Sequence, residues 1–71
     1  MCMGLSARND LAGTVTAIKK DEITAEVVVE LGDGQTVTST ITRGSADRLD
    51  LAEGDEVSAV IKASEVMIAK E

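Results

Sequence analysis

The sequence predicts a small all-β fold. Three observations carry that reading: one stretch alternates apolar and polar residues with period 2, β-branched residues crowd its neighbours, and Gly/Asp turn signals separate the runs. With 71 residues, the chain has room for one domain, residues 1–71, with residues 1–5 expected to fray.

The first strand is expected over Leu11-Ala12-Gly13-Thr14-Val15-Thr16-Ala17-Ile18. Its alternation is imperfect, and Gly13 signals a bulge or a sharp bend. Lys19-Lys20-Asp21-Glu22 follows as a polar turn. The clearest strand is Ile23 to Leu31, where every odd position is apolar and every even one polar except Val28. Gly32-Asp33-Gly34 supplies residues that tolerate positive φ, and Gln35 to Thr42 resumes as a Thr-rich strand with Val37 and Ile41 on one face. These two strands form a hairpin.

Ser45 is read as the N-cap of a short helix running to Leu51, with Asp47 in its first turn and Leu49 docking it on the core. Glu56 to Ala63 gives a fourth strand and Glu65 to Ala69 a fifth. Both carry adjacent apolar residues, so both faces are expected to be covered, here by another subunit. Three strands, a short helix and two strands is the element order of a five-stranded OB-like Greek-key barrel. An SH3-like barrel and an open five-stranded sheet are the alternatives.

Composition excludes much. There is no His, Phe, Trp, Tyr or Pro, and 13 acids against 7 bases leave a net charge of −6. Without His the usual neutral-pH base and commonest metal ligand are missing. Without aromatics nothing stacks on bases, and the acidic balance opposes phosphate backbones, so no nucleic-acid partner is expected. Nothing here is long and apolar enough for a membrane span, and the first five residues do not read as a leader, so a cytoplasmic location is expected. Cys2 is the lone cysteine, read as a free thiol, and an intrachain disulfide is impossible. A core this small, built only from aliphatic side chains, favours a homo-oligomer.

The acid pairs Asp21-Glu22 and Asp55-Glu56 read as solvated loop charge. Asp47, Asp50, Glu53 and Asp55 lack the spacing of a calcium loop, and no Cys/His cluster supports zinc. With no convincing base or nucleophile, the chain is not expected to be an enzyme.

Two polar clusters offer hydrogen-bond donors: Ser6-Ala7-Arg8-Asn9, and Lys62-Ala63-Ser64. Lys and Arg only donate, and backbone N–H groups add to them, a set suited to a fully ionised oxyanion that accepts at every oxygen. A solvated arm and an exposed strand lysine are the plainer explanation of the same residues. For the threonines of the third strand, β-propensity is explanation enough.

Taken together, Ser6-Ala7-Arg8-Asn9, Thr24 to Val28, Ile41-Thr42, Leu51-x-x-Gly54-Asp55-x-Val57 and Ile61 to Ile68 resemble the molbindin, or Mop-domain, family. The likeness runs from Ser6 to Ala69 and implies an OB-like barrel of the TOBE type that assembles as a hexamer. It implies binding of molybdate or tungstate between subunits, as an oxyanion and without a covalent cofactor or direct protein ligation of the metal. Matching the motifs, Ser6, Ala7, Arg8 and Asn9 come from one subunit and Lys62, Ala63 and Ser64 from its neighbour, with backbone N–H groups making Ala7 and Ala63 matter. A second class of site, near the threefold axes, is placed at Lys19 and the hydroxyls of Thr38, Ser39 and Thr40. Storage or buffering of the anion is the implied role, with sensing for a transporter or regulator partner as the alternative.

Overall fold

Four strands and one short helix are built in the computed structural model, which describes residues 9–70. The strands are β1 (Asn9–Lys20), β2 (Thr24–Leu31), β3 (Thr36–Thr42) and β4 (Glu56–Ile61), with helix α1 (Arg43–Arg48) between β3 and β4. They form one antiparallel sheet in the order β3-β2-β1-β4. The expected fraying of residues 1–5 and the thiol of Cys2 lie outside the described residues.

From Ala25 onward the period-2 stretch does what its pattern predicts, whereas Ile23, expected to open the strand on the same face, lies outside β2 and is 75% exposed. Ala25, Val27 and Val29 point inward and are buried, and with Val15 of β1 the two valines form the centre of the core. Ile18, Leu31, Ile41, Leu51 and Val57 pack around them, half-buried. The β2–β3 hairpin forms as expected, with Val29 opposite Val37 and Ala25 opposite Ile41. Gly34 takes a φ of 88° in the turn, a conformation that glycine adopts without steric cost.

The bulge of β1 falls at Thr16, where the register with β2 shifts between Val15 and Ala17, three residues after the glycine expected to mark it. Gly13 has a different task. A Cβ there would stand 2.6 Å from both the carbonyl oxygen of Glu30 and Cγ1 of Val29, so only a bare Cα lets β1 and β2 approach this closely.

The helix starts three residues before its expected cap. Thr42 is the N-cap, its Oγ1 accepting the Ser45 N–H at 3.0 Å, and no acid stands in the first turn. Asp47 sits one turn later and pairs with Lys20 (3.0 Å) and Arg43 (3.4 Å) instead. Ala46, fully buried, docks the helix, whereas Leu49 is 66% exposed. The helix ends in a Schellman motif: Leu51 N–H bonds to Ala46 O, Asp50 N–H bonds to Asp47 O, and Asp50 takes a φ of 53°.

Among the described residues no fifth strand forms. Ala63–Glu65 make a single 3-10 turn after β4, and residues 66–70 run on without regular structure. The apolar Val66, Met67 and Ile68 are there, but a strand also needs a ladder partner, and within the chain the edges of β3 and β4 stay unpaired by them. The sheet is therefore a half-barrel. Its open side is a groove of about 440 Å³ lined by Val37, Ser39 and Ile41 of β3 and by Val57, Ala59 and Ile61 of β4, with Val15, Val27 and Val29 at its base.

Candidate functional site

Antiparallel pairing of β1 with β4 brings the two ends of the sequence together. Asn9 lies opposite Ile61, so the first donor cluster leads directly into the strand whose partner leads into the second. Asn9 donates its side-chain Nδ2–H to the Ile61 carbonyl at 3.2 Å, in a half-buried position. Ser6, Ala7 and Arg8, the rest of the first cluster, lie outside the described residues.

Beyond Ile61, Lys62 is extended (φ −64°, ψ 132°) and opens the 3-10 turn. Its carbonyl accepts from Glu65 N–H at 2.9 Å, and the Ala63 carbonyl accepts from Val66 N–H at 3.3 Å. These bonds use the later N–H groups of the turn. Among the described residues, those of Ala63 and Ser64 find no acceptor, and the exposed Lys62 ammonium has no carboxylate partner. One ammonium, one hydroxyl and two backbone N–H groups are thus left open to solvent in three consecutive residues. Every group in that set can donate, which is what an oxyanion without protons requires.

The second set of expected residues is divided between two cavities. Lys19 and Thr40 share a cavity of about 280 Å³ with Lys20, Asp21, Thr24 and Glu26. Glu26 stands between the two in the sheet, opposite Lys19 on one side and Thr40 on the other. Ser39 is half-buried while Thr38 and Thr40 are exposed, and Thr38 and Ser39 line the apolar groove instead of this cavity. Lys19 lies ten residues along β1 from Asn9, roughly 30 Å at 3.2–3.4 Å per strand residue.

The electrostatics of the remaining acids are structural. The Asp21 carboxylate accepts the N–H groups of Thr24 (2.7 Å) and Ile23 (2.9 Å) and the Thr24 hydroxyl, and these bonds hold its pKa below the ordinary value. Lys20 does the same for Asp47, with Arg43 adding to it. A third cavity, of about 620 Å³, opens beside Gly13 and the β2–β3 turn. Glu30 and Glu56 line it, so their charges disfavour an anion there. No cluster of three or more His, Cys, Asp or Glu suits a metal ion among the described residues. No helix among them is long and apolar enough to cross a membrane.

Two features were not found in the sequence. One is the Ile61 carbonyl as the partner of Asn9, which only strand pairing reveals. The other is the apolar groove, whose signal was present in the matching alternation of Val37, Ile41 and of Val57, Ala59, Ile61.

The TOBE domain family profile matches residues 5–68. The chain belongs to that family. Within it the chain is of the molbindin type, as its relatives show. It is 52% identical to molybdenum-pterin-binding protein 3 of Clostridium pasteurianum, over 93% of this chain and 97% of that one. Among solved structures, a molybdate-binding protein from Sporomusa ovata superposes with a TM-score of 0.89 at 38% identity, covering 96% of this chain and 100% of the other. The cytoplasmic molybdate-binding protein ModG, solved with molybdate bound, gives 0.85 at 46% identity, covering 89% of this chain and 45% of ModG. This TOBE chain therefore shares both sequence and backbone with small oxyanion-binding proteins along nearly its whole length.

Proposed function

We propose that this chain binds molybdate, with tungstate as its closest substitute, and stores or buffers the anion without transforming it. The observation that carries the reading is the run of open donors at Lys62, Ala63 and Ser64, placed beside Asn9 by the β1–β4 pairing. Lys62 supplies charge; Ser64, Ser6 and Arg8 supply directional donors, together with the N–H groups of Ala63 and Ala7, and Asn9 stands beside them. A site made mostly of donors disfavours phosphate, which carries a proton at neutral pH and finds few acceptors. Sulfate is a fully ionised tetrahedral dianion, so it must be rejected by size.

The site is completed between subunits of a homo-oligomer, for which the family resemblance favours a hexamer. Two features support assembly: the open apolar groove between β3 and β4, and the Val66-Met67-Ile68 segment, which is exposed among the described residues. Residues 66–69 of a neighbouring copy would add the fifth strand and close the Greek-key barrel. A further oxyanion site is proposed at Lys19 and Thr40, where a shared cavity supports it. Thr38 and Ser39, also expected there, line the groove. We place the protein in the cytoplasm, as ModG is described, and assign it no nucleic-acid partner and no reaction. A sensing module acting with a transporter or regulator is the second reading, favoured by the match, at 41% identity, to 26% of the longer molybdenum transport protein ModE of Azotobacter vinelandii.

Calorimetric titration with molybdate, tungstate and sulfate, combined with native mass spectrometry, tests the proposal. Uptake of the first two by an oligomer, with sulfate far weaker, is expected. Equal affinity for sulfate, or no uptake of any of the three, would overturn it.

A further inference from the structure

The last residue of β4 has an unusual tie. Beyond Ile61 the chain leaves β4 and enters the 3-10 turn. The Ile61 carbonyl, already in the ladder register with Asn9, is bonded by the Asn9 side chain as well, through Nδ2 at 3.2 Å. That carbonyl and the Lys62 N–H belong to one rigid planar peptide. Fixing its oxygen fixes the plane from which Lys62 departs, and hence the start of the turn carrying the open N–H groups of Ala63 and Ser64.

Resting on the oxyanion reading above, we propose that Asn9 is a positioning residue for the Lys62–Ser64 donors. The commitment of Nδ2 to Ile61 leaves its amide one further hydrogen, and its Oδ1, an acceptor, has nothing to offer an oxyanion. Asn9 acts through the Ile61–Lys62 peptide: it keeps the donors aimed before the anion arrives, so that less ordering is required on binding.

The test compares Asn9→Ala and Asn9→Leu, the second retaining most of the side-chain volume, with the parent chain in its assembled form. Molybdate affinity is measured by calorimetry, and backbone amide shifts by ¹H–¹⁵N spectra without anion. Both variants should bind about fivefold to tenfold more weakly, the equivalent of one hydrogen bond. In the absence of molybdate the amide signals of Lys62, Ala63 and Ser64 should be displaced, while those of β2 and β3 stay where they are. Unchanged affinity in either folded variant overturns the proposal. Weakened affinity with unmoved amides at 62–64 also overturns it, because Asn9 would then contact the anion itself. Failure of the parent chain to bind molybdate defeats the oxyanion reading, and the positioning role with it.

Discussion

Replacing Ile68 by Asp should separate the subunits while leaving each one folded. Ile68 is 88% exposed in the isolated chain, so the substitution removes nothing from the chain's own core of Val15, Val27 and Val29. The same exposure means that nearly all of the side chain's transfer energy, about 1.5–3 kcal/mol, is still to be gained on assembly. If two copies exchange their C-terminal segments, the loss counts twice, about 3–6 kcal/mol per pair, before the cost of bringing a carboxylate into the groove. At 1.4 kcal/mol per tenfold, the dissociation constant should rise roughly 10²- to 10⁴-fold. Sedimentation across a dilution series reads that shift, and far-UV circular dichroism shows whether the sheet persists. A chain shortened after Glu65 should behave in the same way. An Ile68→Asp protein that assembles at the parent's concentration would refute the reasoning.

Three other outcomes are expected. Gly13→Ala should destabilise the chain: its Cβ meets backbone at 2.6 Å, and overpacking less the gain from a stiffer unfolded chain leaves about 1–2 kcal/mol, read as a melting point ~5–15 °C lower. The pKa of Asp21 is depressed in the folded chain, so its stabilising effect is complete above the ordinary carboxylate pKa and is lost as pH falls through the folded one. Acid titration of unfolding should therefore be shallower below about pH 4 for Asp21→Asn, whose amide oxygen can still accept the two N–H bonds. Molybdate should raise the melting temperature of the parent by mass action, and Lys62→Ala should remove most of that rise; an undiminished rise would show that Lys62 is not a ligand.

What could be read in advance follows from the range of each interaction. The β2–β3 hairpin was legible because its evidence is local: alternation from Ala25 to Leu31, a Gly-Asp-Gly turn, then Val37 and Ile41 in phase. The helix was legible in place but not in register. Thr42 and Ser45 are both good caps three residues apart, and the 2.8 Å bond between their hydroxyls shows how closely they compete. Leu49 looked like the docking residue because it is large. Ala46 docks instead, as the helix lies close enough on the sheet that only a methyl fits.

The fifth strand and the donor site share a different obstacle. Val66-Met67-Ile68 has the composition of a strand, yet composition specifies only a willingness to pair, and among the described residues the segment pairs with neither edge of the sheet. The donors of Lys62, Ala63 and Ser64 are in a similar position: they are adjacent in sequence and, among the described residues, have no acceptor of their own. Both features become intelligible together if the C-terminal segment crosses to a neighbour, since the turn that carries the donors is also the point at which the chain departs. Anion and neighbour would then act on the same few residues. An anion bound to the pre-aimed turn would hold it in the geometry that directs residues 66–69 into the neighbouring groove, and linkage would then require that assembly tighten the anion in return. On this argument the net charge of −6 is no obstacle to an anion-binding protein. Exposed charges are screened beyond about 8 Å at physiological salt, and affinity is decided by a handful of donors that assembly brings to one place.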